Sequence, residues 1–290
     1  MGCLTNPSFI KQMMRKYDFY LKKDLGQNFL IDGYTAQKIA DALECSKDSI
    51  VLEVGPGIGA ITELLAPQCE KLLAVEIDPF AVKMLEDIFS SDKNVQIIHK
   101  DILKTDLRML VGEYIQEGRP VRAISNLPYY ITSPVLMYLL ESKIAFSEIV
   151  VMLQKEVAQR LYSKPSSKAY SAFTIAVEYY AKIEYLFDVP NTVFMPSPKV
   201  DSAVLRLRPR KTPLVRVKDE KIFFKTVRAG FAMRRKTLLN CISAGFSLPK
   251  DQTREILSDA EIGDSVRAET LSIAQFGRLS DIIYDTIHKA

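Results

Sequence analysis

The sequence predicts an α/β fold: a Rossmann-like sheet, mostly parallel with an antiparallel edge, followed by a small helical C-terminal domain. Three observations carry this. Between Ile50 and about Pro209, short runs rich in Val and Ile alternate with helical patterns, the signature of βα units. The first of these runs feeds a Gly-rich turn. The last two, 183–189 and 202–207, are separated only by a short Pro-containing stretch, too short for a helical crossover, so they are expected to be antiparallel.

Element by element, residues 50–54, 71–77, 95–99, 121–125 and 148–153 read as strands, because each is too short for a helix and rich in Val and Ile, as strands covered on both faces are. Helices are expected at 60–65, 80–89, 134–140 and 155–161. Residues 208–213 contain Pro209 and Pro213 and mark a domain boundary. Beyond it, 221–232, 236–243, 253–257 and 273–287 carry helical periodicity. The expected organisation is a basic extension over 1–20, a ligand-binding catalytic domain over 21–209 and a helical domain over 210–290.

With 290 residues, 48% of them hydrophobic and 26% charged, the chain has the composition of a globular protein large enough for two cores. No apolar run approaches the roughly 18 residues a membrane span requires. The first residues lack a secretory pattern, and Asn6 stands where an acylation signal wants Ser or Thr. Cys3, Cys45, Cys69 and Cys241 are scattered, without metal-ligand spacing, so a reduced, cytoplasmic, metal-free protein is expected. Net charge is +4, unevenly spread: residues 206–236 hold twelve Lys/Arg against Asp219 and Glu220, leaving the rest of the chain net acidic. Such a block is a solvated face or a phosphate-binding surface.

The run Glu53-Val54-Gly55-Pro56-Gly57-Ile58-Gly59 takes a strand through a Gly-rich turn toward a helix, where open α/β folds bind ligands. Gly55, Gly57 and Ala60 also satisfy the dinucleotide pattern, which keeps a nicotinamide-dependent dehydrogenase open at this point. Glu76, 21 residues beyond Gly55, ends the next strand, where an acid accepts from the ribose hydroxyls of NAD or of S-adenosylmethionine equally well. Asp101 follows the third strand and suits an adenine amine, which tilts the balance toward S-adenosylmethionine. Pro56 removes one N–H from a would-be anion nest, consistent with a ligand lacking a pyrophosphate.

After the fourth strand comes Asn126-Leu127-Pro128-Tyr129. An adenine exocyclic amine is a poor nucleophile, and two acceptors facing its N–H bonds favour a tetrahedral, reactive nitrogen. The Asn126 side-chain oxygen and the Leu127 or Pro128 carbonyl can serve. Tyr129 offers a face for an extruded base.

These motifs resemble the ribosomal RNA adenine dimethyltransferases that modify small-subunit RNA. The resemblance runs from about Leu25 to Ile242 and rests on Leu25-Gly26-Gln27-Asn28-Phe29-Leu30, the Gly-rich turn, Glu76, Asp101, Asn126 to Tyr129, and the segment from Phe194-Met195-Pro196-Ser197 to Ser202. It continues more weakly through Arg234-Arg235-Lys236-Thr237. The resemblance implies a class I methyltransferase sheet with S-adenosylmethionine as cofactor. It further implies that Asn28 and Leu30 are amino-terminal cofactor contacts, that Gly55 and Gly57 form the methionine-side turn, and that Glu76 and Asp101 hold ribose and adenine. Asn126 is then shared with the target amine, and Phe194 faces Tyr129 across the target base. The implied reaction is two transfers to each of two adjacent adenines near the 3′ end of small-subunit ribosomal RNA.

For the basic segment, RNA binding by Arg234, Arg235 and Lys236 is expected, with a partly assembled small subunit as partner and a monomeric protein. Three rivals remain. One is the antibiotic-resistance methylase of large-subunit RNA, another a non-catalytic nucleic-acid-binding relative, and the third the dehydrogenase, which explains neither Asn126 to Tyr129 nor the basic segment.

Overall fold

The computed structural model describes residues 3–18, 28–126 and 128–289, and Leu127 and Leu25 to Gln27 lie outside them. The chain divides into two units, Met1–Ala158 with Lys182–Lys211, and Gln159–Ala181 with Thr212–Ala290. The boundary read from sequence at 209/210 therefore has a counterpart at 211/212. Residues 159–181, assigned above to the catalytic stretch, belong to the second unit.

In the first unit a seven-stranded sheet runs in the spatial order 95–99, 71–76, 50–54, 121–126, 146–154, 202–209, 181–189. Its strands are β2 (Ile50–Val54), β3 (Lys71–Glu76), β4 (Val95–His99), β5 (Val121–Asn126), β6 (Phe146–Gln154), β7 (Ala181–Val189) and β9 (Ser202–Pro209). Strands β4, β3, β2, β5 and β6 are mutually parallel, while β9 lies antiparallel to β6, with Val151 opposite Leu205. Every residue of β2 is buried, as expected of a central strand covered on both faces. Numbering only the strands of this sheet, the order is 3-2-1-4-5-7-6. A dinucleotide-binding sheet runs 3-2-1-4-5-6. The insertion of the last strand, reversed, between the fifth and sixth is what separates this fold from a dehydrogenase.

Helices α2 (Gly33–Asp41), α3 (Thr62–Leu65), α4 (Pro79–Ile88), α5 (Leu107–Gln116) and α6 (Tyr129–Glu141) alternate with the strands, and α7 (Lys155–Leu161) follows β6. A two-stranded ribbon joins β1 (Phe29–Leu30) to β8 (Phe194–Met195), pairing Leu30 with Phe194. The N-terminal stretch, expected as a basic extension, holds a helix, α1 (Pro7–Lys16), with Asn6 capping the amides of Ser8 and Phe9. Its apolar side buries Ile10 against Ala81, Met84, Phe29 and Ile58, while Leu4 packs with Leu85 and Phe89. Lys16 Nζ reaches Asp87 at 2.9 Å.

The second unit is helical: α8 (Ala172–Tyr180), α9 (Glu220–Ala232), α10 (Leu238–Phe246), α11 (Lys250–Asp259) and α12 (Ile273–Lys289). They share one core that includes Tyr170, Tyr179, Phe223, Val227, Ile242, Leu257 and Phe276. Tyr179 stacks on Phe223 with ring centroids 4.9 Å apart, and its carbonyl accepts from the Leu214 amide. These contacts tie residues 159–181 to the later helices. No helix among the described residues is long and apolar enough to cross a membrane.

Candidate active site

A cleft opens where β2, β3 and β5 end at their carboxyl termini. It is lined by Asn28 and Leu30 of the β1 segment, Gly55 and Gly57 of the turn, Glu76, Asp101, Asn126, Pro128, Tyr129 and Phe194. Residues as far apart in sequence as Asn28 and Ser202 thus share one cavity, at the place ligands occupy in open α/β sheets.

The turn depends on backbone conformations open to glycine. Gly55, Gly57 and Gly59 have φ of 70°, 59° and 87°. A Cβ on Gly59 would also stand 2.9 Å from Phe89 Cε2 and 3.2 Å from Leu4 Cδ1, so α4 and the 3-10 turn Cys3–Thr5 that precedes α1 back the Gly-rich turn closely. Glu76 then fixes the turn from the cleft side. Its Oε2 accepts from the Gly57 amide at 3.1 Å, and its Oε1 from the amides of Ile77 and Asp78 at 2.9 and 3.0 Å. Burial pushes its carboxyl up, opposed by those three amides. A carboxylate has about four acceptor positions, so three are in use. Accepting from both ribose hydroxyls, as expected above, requires the longest contact, that from Gly57, to open.

Glu53 lies in the same cleft, 3% exposed, and accepts from Thr62 Oγ1 at 2.7 Å. Burial pushes its carboxyl up to about 7. Asp101 caps a short 3-10 turn through the Leu103 amide at 3.0 Å and stands 3.6 Å from Lys104 Nζ. Ile77 and Ile102, each following an acid at a strand end, add apolar lining. Their signal in the sequence is the apolar residue directly after Glu76 and Asp101.

Asn126 closes β5 and is half-buried at the cleft. The Pro128 carbonyl accepts from the Ile131 amide at 3.1 Å and from Thr132 Oγ1 at 3.0 Å. Both its lone pairs are engaged by the first turn of α6, which leaves the Leu127 carbonyl, outside the described residues, as the other acceptor read from sequence. Tyr129 begins α6, and its hydroxyl hydrogen-bonds Ser202 Oγ at 2.9 Å. Desolvation raises its phenol, and the Ser202 contact holds the ring in place. Phe194 is 4% exposed, paired with Leu30 across the ribbon. Ser202, Glu53 and Tyr130 line the cleft and were not singled out from sequence as site residues.

The basic block splits into two kinds of residue. Arg206 is 8% exposed, its Nε 3.3 Å from Glu148 Oε2 and its Nη2 2.8 Å from both the Ala42 carbonyl and Glu44 Oε1. Arg122 pairs with the other oxygen of Glu148 at 3.1 Å, and Arg208 with Glu184 at 3.1 Å. These cations neutralise buried or bordering carboxylates and are part of the sheet. Arg234, Arg235 and Lys236 instead stand exposed in the turn between α9 and α10. Arg234 donates to the Lys168 carbonyl at 2.7 Å and lies 4.0 Å from Glu269, while Arg235 and Lys236 have no carboxylate partner among the described residues.

The strand order, with a cleft that gathers acids from the ends of β2 and β3 and the Asn126 turn from the end of β5, defines a class I methyltransferase. A family model described as ribosomal RNA adenine dimethylase matches residues 18–285. The ribosomal RNA small subunit methyltransferase A of Streptococcus thermophilus (strain CNRZ 1066) is 47% identical over 283 residues, 97% of this chain and 98% of that protein. The protein of the same name in Bacillus mycoides (strain KBAB4) is 45% identical over 292 residues, 100% of this chain and 99% of its own. Among solved structures, a dimethyladenosine transferase from Plasmodium falciparum superposes with a TM-score of 0.71 at 23% identity, over 86% of this chain and 95% of its own. The 23S rRNA methyltransferase ErmE does so at 0.65 and 26%, over 89% of this chain and 100% of its own. The chain belongs to the ribosomal RNA adenine dimethylase family.

Proposed function

We propose that the protein transfers methyl groups from S-adenosylmethionine to the N6 amines of two adjacent adenines near the 3′ end of small-subunit ribosomal RNA, giving N6,N6-dimethyladenine. It would act in the cytoplasm, as a monomer, on a partly assembled subunit. The observation that carries the reading is that Asn126, Tyr129 and Phe194 line the same cleft as Glu76 and Asp101. The small subunit is favoured over the large one because relatives at 45–47% identity along nearly the whole chain carry the small-subunit name, whereas ErmE is 26% identical.

The cleft's donor set fits the cofactor. Glu76 and Asp101 would accept from ribose hydroxyls and an adenine amine, Asn28, Leu30, Gly55 and Gly57 would surround the remainder, and the buried Glu53 carboxyl favours a cationic ligand over an anionic one. When bound, S-adenosylmethionine supplies a methyl group activated by its sulfonium. The chain's own work is positional. Asn126 Oδ1 accepts one N–H of the target amine, a backbone carbonyl of the same turn accepts the other, and the nitrogen lone pair is freed to point along the line of attack. Tyr129 and Phe194 hold the extruded base between their faces. The proton lost after alkylation leaves an acidic ammonium and needs no strong base.

The test is methyl incorporation into small-subunit particles, large-subunit particles and naked RNA, read by mass spectrometry of nucleosides. Dimethyladenine in the small-subunit RNA is expected, and preferential labelling of large-subunit particles would overturn the assignment. Asn126→Ala should lower the single-turnover rate about 100-fold with the fold intact, the size of effect expected when a reacting group loses its positioning contact.

A further inference from the structure

We propose that Tyr130 is a stacking platform that holds the nucleotide next to the target adenine outside the cleft. The inference rests on the adenine-methylation reading above. Tyr129 and Tyr130 are consecutive on the first turn of α6, and residues one apart on a helix point about 100° apart. Tyr129 turns inward, with its hydroxyl on Ser202. Tyr130 also lines the cleft but is 61% exposed, and its side chain makes no hydrogen bond or ring contact with a described residue. A large aromatic left in water at the mouth of a cavity, beside the aromatic that faces into it, is an unused apolar surface at the point where the RNA strand must enter.

The chemistry of entry supplies its occupant. Extruding one base breaks its stacks on both neighbours, which costs a few kcal/mol in any strand. A ring at the rim restores one of those stacks by offering its face to the adjacent base. Stacking on an aromatic is indifferent to base identity and to a methylated amine, because every base has a π face. The same platform therefore serves both turnovers: when the strand advances by one nucleotide, the neighbour leaves Tyr130 for the pocket and the base that follows it takes its place on the ring. Hydrogen-bond readout of the adjacent base would not tolerate that exchange.

The experiment uses the full chain and an RNA hairpin whose loop carries two adjacent adenines, with 2-aminopurine replacing the neighbour of the target. Tyr130→Ala should raise the KM for RNA roughly ten-fold, the loss expected for one base–aromatic stack. It should leave the single-turnover rate at saturating RNA and the affinity for S-adenosylmethionine unchanged, and should weaken the quenching of 2-aminopurine on binding. Tyr130→Phe, which keeps the ring, should restore KM and quenching together. Wild-type KM and quenching in Tyr130→Ala would overturn the proposal, and so would a fall in the saturated rate at unchanged KM, which would place Tyr130 in the chemistry. Failure of the wild-type protein to methylate adenine in any RNA would instead strike the reading beneath it.

Discussion

Glu53 and Glu76 share one cleft, and the fold treats them differently. Three amides hold the Glu76 carboxylate, whereas Glu53 has only the Thr62 hydroxyl against complete burial. Burial pushes the Glu53 carboxyl from 4.5 to about 7, so in the ligand-free protein the proton is held more tightly when folded than when unfolded. The contribution of the neutral form is fully present below about pH 4.5 and is lost as pH rises through 7. Glu53→Gln keeps an oxygen for Thr62 Oγ1 and removes the charge. In urea unfolding without cofactor, the variant should match wild type near pH 4.5 and exceed its stability by on the order of 3 kcal/mol above pH 7. A pH-independent difference would show that Glu53 is not forced to ionise in the interior. Spacing in the sequence was enough to place Glu76 and Asp101 at strand ends. It did not reveal the state of Glu53, because that follows from what the fold packs around it, and it left the Pro128 carbonyl as an option that Ile131 and Thr132 take up.

Among the elements, the Gly-rich turn is supported from behind by helices that the sequence signals unequally. Gly59 sits at φ 87°, and a Cβ there would meet Phe89 at 2.9 Å, Leu85 at 3.0 Å and Leu4 at 3.2 Å. Gly59→Ala therefore combines a strained backbone with overpacking and should cost about 2–4 kcal/mol in denaturant unfolding. A loss below 1 kcal/mol, on the order of a helix-propensity change, would mean that Leu4, Leu85 and Phe89 yield at no cost. The strands were legible because runs such as Ile50–Val54 are short, rich in Val and Ile and, but for Glu53, apolar. The missed helices have identifiable reasons. In α8 the run Phe173, Thr174, Ile175, Val177, Tyr179 reads as a strand, and the Ser171–Thr174 capping box closes it as a helix although Thr stands where Glu or Gln is usual. In α1 the basic residues mask the apolar series Phe9, Ile10, Met13 and Met14, whose spacing is that of one helix face. The ribbon pairing Leu30 with Phe194 joins residues 164 apart, a contact only the fold reveals.

Across the whole molecule, positive charge in the sequence and positive charge offered to a partner are different quantities. Of the block 206–236, Arg206 and Arg208 are spent on Glu148, Glu184 and Glu44, and Lys218 on Asp285 at 2.6 Å. Elsewhere in the second unit Arg254 and Arg278 are paired with Asp264 and Glu261. Arg235 and Lys236 keep theirs, exposed on the turn that Arg234 braces against the 163–170 loop through the Lys168 carbonyl. If that turn grips RNA phosphates, Arg235→Ala/Lys236→Ala should flatten the slope of log affinity against log salt by about 1.4–1.8, the release expected for two phosphate contacts. S-adenosylmethionine affinity should stay at its wild-type value, since neither residue lines the cleft. Arg206→Ala makes the contrast: it leaves Glu148, 3% exposed, with one partner fewer and should destabilise the protein by about 3 kcal/mol while leaving the salt slope unchanged. Filter binding of small-subunit RNA over 50–300 mM salt (~50–300 mM brackets the range in which counterion release dominates), read beside urea unfolding of both variants, separates the two roles. A slope that falls with Arg206 and holds without Arg235 and Lys236 would move the RNA-binding surface away from the α9–α10 turn.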